Sequence, residues 1–411
     1  MKILLISDQY PPNSPGGASR VVFELSRGLA KADQEVVVLT VVNERSEAGE
    51  RMENKVRVIR IFLPEYKERW RSWRSLYNLS TVRKVKKIIK EFKPQVVHAH
   101  NIHYYLSYAS LKVAGRAGAK VFLTAHDVML FHYGKLFEFI NKNDLKKTDG
   151  FNYKVSVPRQ IKRFRFWYNP LRNIIIRHYL KYVDKIFAVS QELRKALNDN
   201  KINNVEVMYN ATEVKEWQVE SEKVKKFKQK FGLENKKVIM FGGRLSALKG
   251  SRELLEAMNK LAKKLPNLIL LLVAKEDEKV FEFKKRTIGF SVKATGWLGK
   301  QDLKIIYNAV DLLVTPSICL DTFNLMNLEA MAAAKPVVTT CFGGAREVVE
   351  DGVTGFVVNP FDTNLLKDRL FELLTNDDKA IKFGEAGYKR AVENFALNKW
   401  VEKHLNYYRD K

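Results

Sequence analysis

Cysteine is almost absent: Cys319 and Cys341 are the two thiols in a chain of 411 residues. They are too few for a disulfide framework and suit a reducing compartment, so a cytoplasmic location is expected. No uninterrupted apolar run reaches the roughly 18–20 residues needed to span a bilayer. The opening, MKILLISDQY, has one basic residue, a short apolar run ending at Asp8 and no small-residue cleavage site; it reads as a first core strand and not as a signal peptide. No low-complexity tract or short internal repeat stands out, and no Asp-x-Asp metal motif is present. Acid is missing in two long stretches, between Arg69 and Lys90 and again between Phe151 and Tyr182.

Base is plentiful. Seventy-two Lys and Arg against 46 Asp and Glu give a formal charge of +26, so an anionic partner is expected: nucleic acid, anionic lipid or a phosphorylated substrate. Both acid-free stretches interleave their cations with aromatics, Trp70, Trp73 and Tyr77 in the first and Phe164, Phe166, Trp167, Tyr168 and Tyr179 in the second. Such segments suit an anionic membrane surface, or they are solvated helix faces. No recognition motif supports nucleic acid.

The length suits two domains of about 200 residues, and a hydrophobic share of 46% gives each enough to fill a core. In the first half, β-branched runs alternate with helical patterns, the signal of a parallel sheet wound with helices. Strands are expected at 2–7, 35–41, 95–100, 121–125, 185–190 and 205–208. Charged sequence over about 213–235 marks the boundary. A second series follows, with strands expected at 238–241, 268–273, 292–295, 311–315, 336–340 and 355–358, which reads as a second doubly wound domain.

The run from Thr315 to Val358 sets Asp321 in a loop and Glu329 on the following helix. Such a carboxylate pair can take hydrogen bonds from sugar hydroxyls, and the glycines that follow let backbone amides approach a phosphate, a nucleotide-sugar site in outline. Two Gly-Gly turns each follow a first strand. Gly16-Gly17 opens a helix whose amides and dipole favour an anion, or it is simply a tight loop. Gly242-Gly243 leads into Arg244 and Lys249, a guanidinium fork and a point charge that suit a diphosphate, or two solvated cations at a helix start. His98, His100 and His103 form a His-x-His-x-x-His cluster with no local acid or cysteine to complete a metal site. His126 ends a strand, and Asp127 beside it reads as a helix cap or a secondary acid.

Taken together, these motifs resemble the retaining glycosyltransferases of family 4, which have the GT-B fold. The pieces are Asp321 and Glu329 bracketing seven residues, Ala330-Met331-Ala332, Pro336-Val337-Val338, Gly343-Gly344-Ala345-Arg346-Glu347, Asp351-Gly352-Val353-Thr354-Gly355, and Gly243-Arg244-Leu245 followed by Lys249-Gly250. The resemblance implies two Rossmann-like α/β domains facing an interdomain cleft: an acceptor domain over 1–212, a donor domain over 213–390, and a C-terminal helix, about 391–411, returning to the first. It also implies transfer of a sugar from a UDP- or GDP-linked donor to an acceptor hydroxyl with retention, with no cofactor and no metal.

By the same resemblance, Arg244 and Lys249 take the diphosphate, and His126 meets the donor sugar near the reacting carbon. Asp321 reaches the sugar hydroxyls, Glu329 the ribose, and the backbone around Trp297 and Leu298 the nucleobase. Gly16 and Gly17 lie over the phosphates, while Gly243, Asn324 and Leu325 complete the donor set. The acceptor is expected to be a lipid-linked or cell-surface glycan precursor, met at the inner face of the cell membrane. The chain departs from the family at Asp321, where Glu is usual, at Asn324 and Ala334, where Gly is usual, and at Ala274-Lys275, which replaces a Gly-Asp turn. A non-catalytic nucleotide-sugar-binding relative is the alternative.

Overall fold

The computed structural model describes residues 1–12, 16–243, 245–296 and 298–410. Two compact units divide the chain: Met1–Leu136 with Asn152–Asn210 and the stretch from Leu397 onward, and Phe137–Phe151 with Ala211–Ala396.

In the first unit eight strands form one sheet: β1 (Lys2–Ser7), β2 (Glu35–Val42), β3 (Gly49–Glu53), β4 (Val56–Phe62), β5 (Val96–His100), β6 (Lys120–Ala125), β7 (Lys185–Ala188) and β8 (Val205–Val207). Their order is β3-β4-β2-β1-β5-β6-β7-β8, parallel throughout except for the β3–β4 hairpin. A parallel strand covered on both faces reads as an unbroken apolar run, and Ile3, Leu4, Leu5 and Ile6 of β1 are fully buried. Helix Gly17–Lys31 follows β1 and buries Val21, Leu25 and Leu29. Helix Leu397–Arg409 packs on it at Gly28, where any Cβ would meet the Val401 side chain at 2.4 Å.

Strands β3 and β4 are absent from the sequence expectation. Arg57 and Arg60 interrupt the apolar pattern of β4, and each pairs across the hairpin, Arg57 with Glu50 at 2.6 Å and Arg60 with Glu53 at 2.6 Å. The turn between the strands runs through Asn54 and Lys55, both left-handed at φ 51° and 67°, without the glycine that would have announced it.

The second unit holds six parallel strands: β9 (Lys237–Phe241), β10 (Leu268–Leu272), β11 (Ser291–Ala294), β12 (Leu312–Thr315), β13 (Val337–Thr340) and β14 (Gly355–Val358). Their order is β11-β10-β9-β12-β13-β14, so the winding reverses between β9 and β12, where the loops leaving the strands diverge and leave a crevice. In the first unit the reversal falls between β1 and β5.

The segment 137–151, which lies within the N-terminal half of the sequence, belongs to the second unit. Phe139 and Phe151 pack on Phe342 at 6.1 and 5.5 Å between ring centroids. Arg346 Nη1 donates to the Thr148 carbonyl at 2.7 Å, and Asn359 Nδ2 donates to those of Asp144 and Leu145.

Candidate functional site

The crevice of the second sheet collects the residues that sequence reasoning singled out there. Gly242 and Gly243 continue directly from β9, and the chain then turns through Ala247–Lys249 to Gly250 and helix Ser251–Leu261. Gly250 has φ +74°, and a Cβ there would lie 1.8 Å from the Pro316 carbonyl oxygen, so this turn presses against the loop after β12. That pressure seats Lys249 beside Asp321: Nζ lies 3.0 Å from Oδ2 and 3.3 Å from the Ser317 hydroxyl. The same carboxylate oxygen accepts from Ser317 Oγ at 2.9 Å and from Asn324 Nδ2 at 3.2 Å. Its backbone is pinned as well, the Asp321 amide donating to the Phe342 carbonyl and the Gly344 amide to that of Asp321. Gly343 permits this approach, at φ +99°, since a Cβ would stand 2.4 Å from the Asp321 carbonyl oxygen.

Helix Leu325–Ala332 rises from this loop. Its cap residue, Asn324, is left-handed at φ 59°, a conformation that asparagine tolerates better than most residues; Ala334, just past the helix, holds φ 54° with no such excuse. Both positions are where the resembled family has glycine, and the backbone has kept the glycine geometry under different side chains. Glu329 is buried on this helix, its Oε2 accepting from the Tyr307 hydroxyl at 2.8 Å. Asn327 locks the helix to the sheet through a buried triangle with Thr315 and Thr339, with sides of 2.8 to 2.9 Å. Leu325 begins the helix, and Leu298 follows β11 at the edge of the sheet. Arg244 and Trp297 lie outside the described residues.

The first unit carries the other candidates. Gly16 precedes helix Gly17–Lys31, and its carbonyl accepts from Ser19 Oγ at 2.7 Å and from the Arg20 amide. At the carboxyl ends of β5 and β6 four histidines stand in a row. His98 is held by the Tyr408 hydroxyl at Nδ1 (2.6 Å) and by the Thr124 hydroxyl at Nε2 (2.8 Å), while its ring lies 4.1 Å from that of His100 and 5.6 Å from that of His404. His100 Nδ1 meets His126 Nε2 at 3.0 Å, so one ring of that pair donates to the other. Burial pushes His126 down to about 4, against the pull of Asp127, and the ring is neutral at neutral pH. A neutral imidazole can donate or accept one hydrogen bond to a sugar hydroxyl but brings no charge. His103 Nε2 lies 3.5 Å from Asp127 Oδ2, and Asp127 Oδ1 accepts from the Met129 amide at 2.8 Å. Burial alone would raise the Asp127 carboxyl; His103 and that amide lower it below the usual range.

Sequence reasoning passed over four residues of these sites. Ser317 and Tyr307 orient the two acids of the second unit, and Asn327 fixes their helix. Asp8, at the end of β1, accepts from the amides of Tyr104, Tyr105 and Leu106 at 2.6 to 2.9 Å and so ties the loops after β1 and β5 together at the reversal point. An acid directly after the first strand of a doubly wound sheet was the available signal for Asp8.

Comparison with known proteins covers most of the chain. Residues 15–216 match the family model described as Glycosyltransferase Family 4, and residues 223–390 match Glycosyl transferases group 1. The D-inositol 3-phosphate glycosyltransferase of Corynebacterium urealyticum is 35% identical over 167 residues, 38% of this chain and 39% of that protein. The chain spans about half the length of the curated relatives it matches, 54% and 58% for two others. Among solved structures, sucrose-phosphate synthase from Thermosynechococcus elongatus superposes with a TM-score of 0.76 at 19% identity, covering 99% of this chain and 98% of that one. Anabaena HepE in complex with UDP-glucose does so with a TM-score of 0.68 at 18% identity, covering 99% and 100%. At such identities the structures speak for a shared GT-B fold.

Proposed function

Because the chain belongs to the family 4, group 1 glycosyltransferases, we propose that it moves a sugar from a nucleoside-diphosphate sugar to an acceptor hydroxyl with retention at the anomeric carbon. One observation carries this reading: Gly242-Gly243, Lys249 and Asp321 at the reversal point of the second sheet, backed by Glu329 on the adjoining helix. Lys249 is a fixed cation where a diphosphate leaving group gains charge, and the turn before it can bring backbone amides to the same place. The Lys249–Asp321 pair is then a resting arrangement: the diphosphate replaces Asp321 as partner of Lys249 and releases the carboxylate to the sugar hydroxyls. Glu329, oriented by Tyr307, holds the ribose. UDP-glucose in the Anabaena neighbour makes UDP the first nucleotide to try.

Retention by double displacement needs a carboxylate nucleophile at the anomeric carbon. Front-face attack does not: the departing phosphate oxygen takes the acceptor proton while Lys249, Arg244 and helix amides stabilise the leaving charge. These cations supply the electrostatic role a divalent ion would otherwise fill, so turnover should persist in EDTA; its loss would refute metal independence. The acceptor is proposed to be a lipid-linked or cell-surface glycan precursor on an anionic membrane, on the strength of the basic aromatic segments. Among the described residues no helix is long and apolar enough to cross a membrane.

The test is a thermal-shift panel of UDP, GDP, ADP and their sugar conjugates on wild type and Glu329→Ala. A shift with one nucleotide that the mutation removes supports the donor site and names the base. No shift with any would refute it. Binding without transfer or hydrolysis would favour the non-catalytic relative, since Asn324 holds Asp321 at 3.2 Å where the family has glycine.

A further inference from the structure

The two acid-free aromatic stretches meet on one face of the first unit. The turn Glu68–Trp70 lies against the turn Arg165–Trp167. Tyr133 joins them, its hydroxyl donating to the Glu68 carbonyl at 3.2 Å while its ring packs on Phe164 at 5.2 Å between centroids. The layer beneath is tightly held. Arg172 is fully buried and donates to the Met129 carbonyl and to Asn173 Oδ1, while Asn173 Nδ2 and Gln160 Nε2 both donate to the Phe131 carbonyl, at 2.8 and 3.0 Å. The side chains presented outward therefore stand on a fixed frame.

What they present is apolar. Phe166 is 95% exposed, Ile174 60%, Leu171 59%, Trp167 52%, Trp70 51% and Trp73 49%. A contiguous set of large apolar side chains in water marks an interaction surface. Arg69, Arg74, Lys162, Arg163 and Arg165 are exposed among them, five cations against the exposed Glu68 of the same turn, and residues 151–182 contain no acid. Tryptophan and arginine together settle at headgroup depth, and the positive charge complements anionic lipid. Nucleic acid would use the rings for stacking but has no use for Leu171 and Ile174.

At the edge of this face, and sharing Arg74 with it, lies a cavity of about 400 Å³. Leu63, Pro64, Tyr77, Asn78 and Tyr105 are among its walls, and Arg74 is its cationic residue. The Arg74 guanidinium stands 4.7 Å over the Tyr66 ring, which helps to hold it in place. The room suits the polar end of one lipid molecule.

We propose that this face seats the first unit on an anionic bilayer and that the cavity at its edge takes the phosphate-bearing headgroup of one lipid, with Arg74 as the counter-charge. The inference rests on the acceptor reading above and gives that acceptor a place and a chemical class, a lipid phosphate.

The experiment is co-sedimentation with three vesicle types at low salt: phosphatidylcholine alone, phosphatidylcholine with phosphatidylglycerol, and phosphatidylcholine with undecaprenyl phosphate at equal surface charge. Wild type should pellet with both anionic vesicles and not with the neutral one. The triple variant Phe166→Ser, Trp167→Ser, Leu171→Ser should need at least about tenfold more lipid for half pelleting, while keeping the wild-type shift with UDP. Wild type should need less undecaprenyl phosphate than phosphatidylglycerol for half pelleting, and Arg74→Ala should erase that preference. Wild type that stays in solution, a triple variant that pellets normally, or release of bound protein by an oligonucleotide but not by added neutral vesicles would overturn the docking face. Absence of the preference in wild type, or its survival in Arg74→Ala, would overturn the cavity's role. Because the UDP shift is read separately, failure of the donor site and failure of the docking face give different results.

Discussion

Acid should unfold the first unit ahead of the second. All seven histidines, His98, His100, His103, His126, His132, His178 and His404, lie in the first unit. Burial pushes His103, His126 and His404 down to about 4 from the ordinary 6.5, and drives His98 and His100 well below it. In the unfolded chain each would take up a proton near its ordinary pKa. As the pH falls from there toward 4, the unfolded state binds the more protons and stability drops by about 1.4 kcal/mol per pH unit per group. At about pH 5 this amounts to roughly 2 kcal/mol each for His103 and His404, and roughly 1 for the partly exposed His126 once solvent screening is allowed for. Asp8 acts in the opposite sense. Burial, against its three amide donors, raises its carboxyl to about 6, so the folded state is protonated first and recovers about 1.4 kcal/mol by pH 5. The net loss is about 3–4 kcal/mol, a large part of a domain's stability, and His98 and His100 add to it in the same direction. Amide hydrogen exchange followed peptide by peptide at neutral pH and near pH 5, corrected for intrinsic rates, checks this. Protection should fall across β1, β5 and β6 and persist across β9, β12 and β13. His404→Phe should flatten the pH slope of the first unit by about 1.4 kcal/mol per pH unit. Equal losses in both units, or a slope untouched by the substitution, would refute the reasoning.

Ala334→Gly should stabilise the second unit by about 1 kcal/mol, because alanine at φ 54° carries steric strain that glycine lacks; a higher urea midpoint with an unchanged slope is the expected result. Gly250→Ala should cost several kcal/mol, on the order of 2–4, since its methyl would meet the Pro316 carbonyl oxygen. Its thermal midpoint should fall well below that of Gly352→Ala, a control with a similar positive φ and open space around it. Lys249→Met should lower stability by only about 1–2 kcal/mol, because the lysine is partly exposed, yet weaken UDP by about tenfold or more in calorimetric titration.

The second unit was largely legible in the sequence because most of its strands, β9, β12, β13 and β14 among them, are short apolar runs bounded by glycine, proline or threonine. Its acids and glycines also sit close together along the chain, so a local pattern could point to a local site. The first unit was legible only in its central strands. Strands β3 and β4 hide behind arginines whose partners lie across a glycine-free turn, and the alternation that Val56-Arg57-Val58 begins is lost at Ile59 and Arg60. The roles of Asp8 and His98 depend on partners about a hundred and about three hundred positions away, Leu106 and Tyr408, and no motif joins them. Asn324 and Ala334 were visible as departures from glycine; that both retain a glycine backbone is information only the φ angles contain. The meeting of the turns Glu68–Trp70 and Arg165–Trp167 across the surface was likewise unreadable, although both stretches stood out for their lack of acid.

Helix Leu397–Arg409 has a consequence for the order of events on the ribosome. It supplies Val401 to the groove at Gly28 and Tyr408 to His98 in the middle of the first sheet, yet it is translated after every strand of the second. The second unit, whose early segment 137–151 is already made, has all its parts in hand once residue 396 emerges. The first unit, begun earliest, must wait with an apolar seam open through the synthesis of nearly two hundred further residues. A nascent chain stalled anywhere in that interval would offer this seam to chaperones, and a stop codon just before Leu397 would damage the beginning of the protein more than its end.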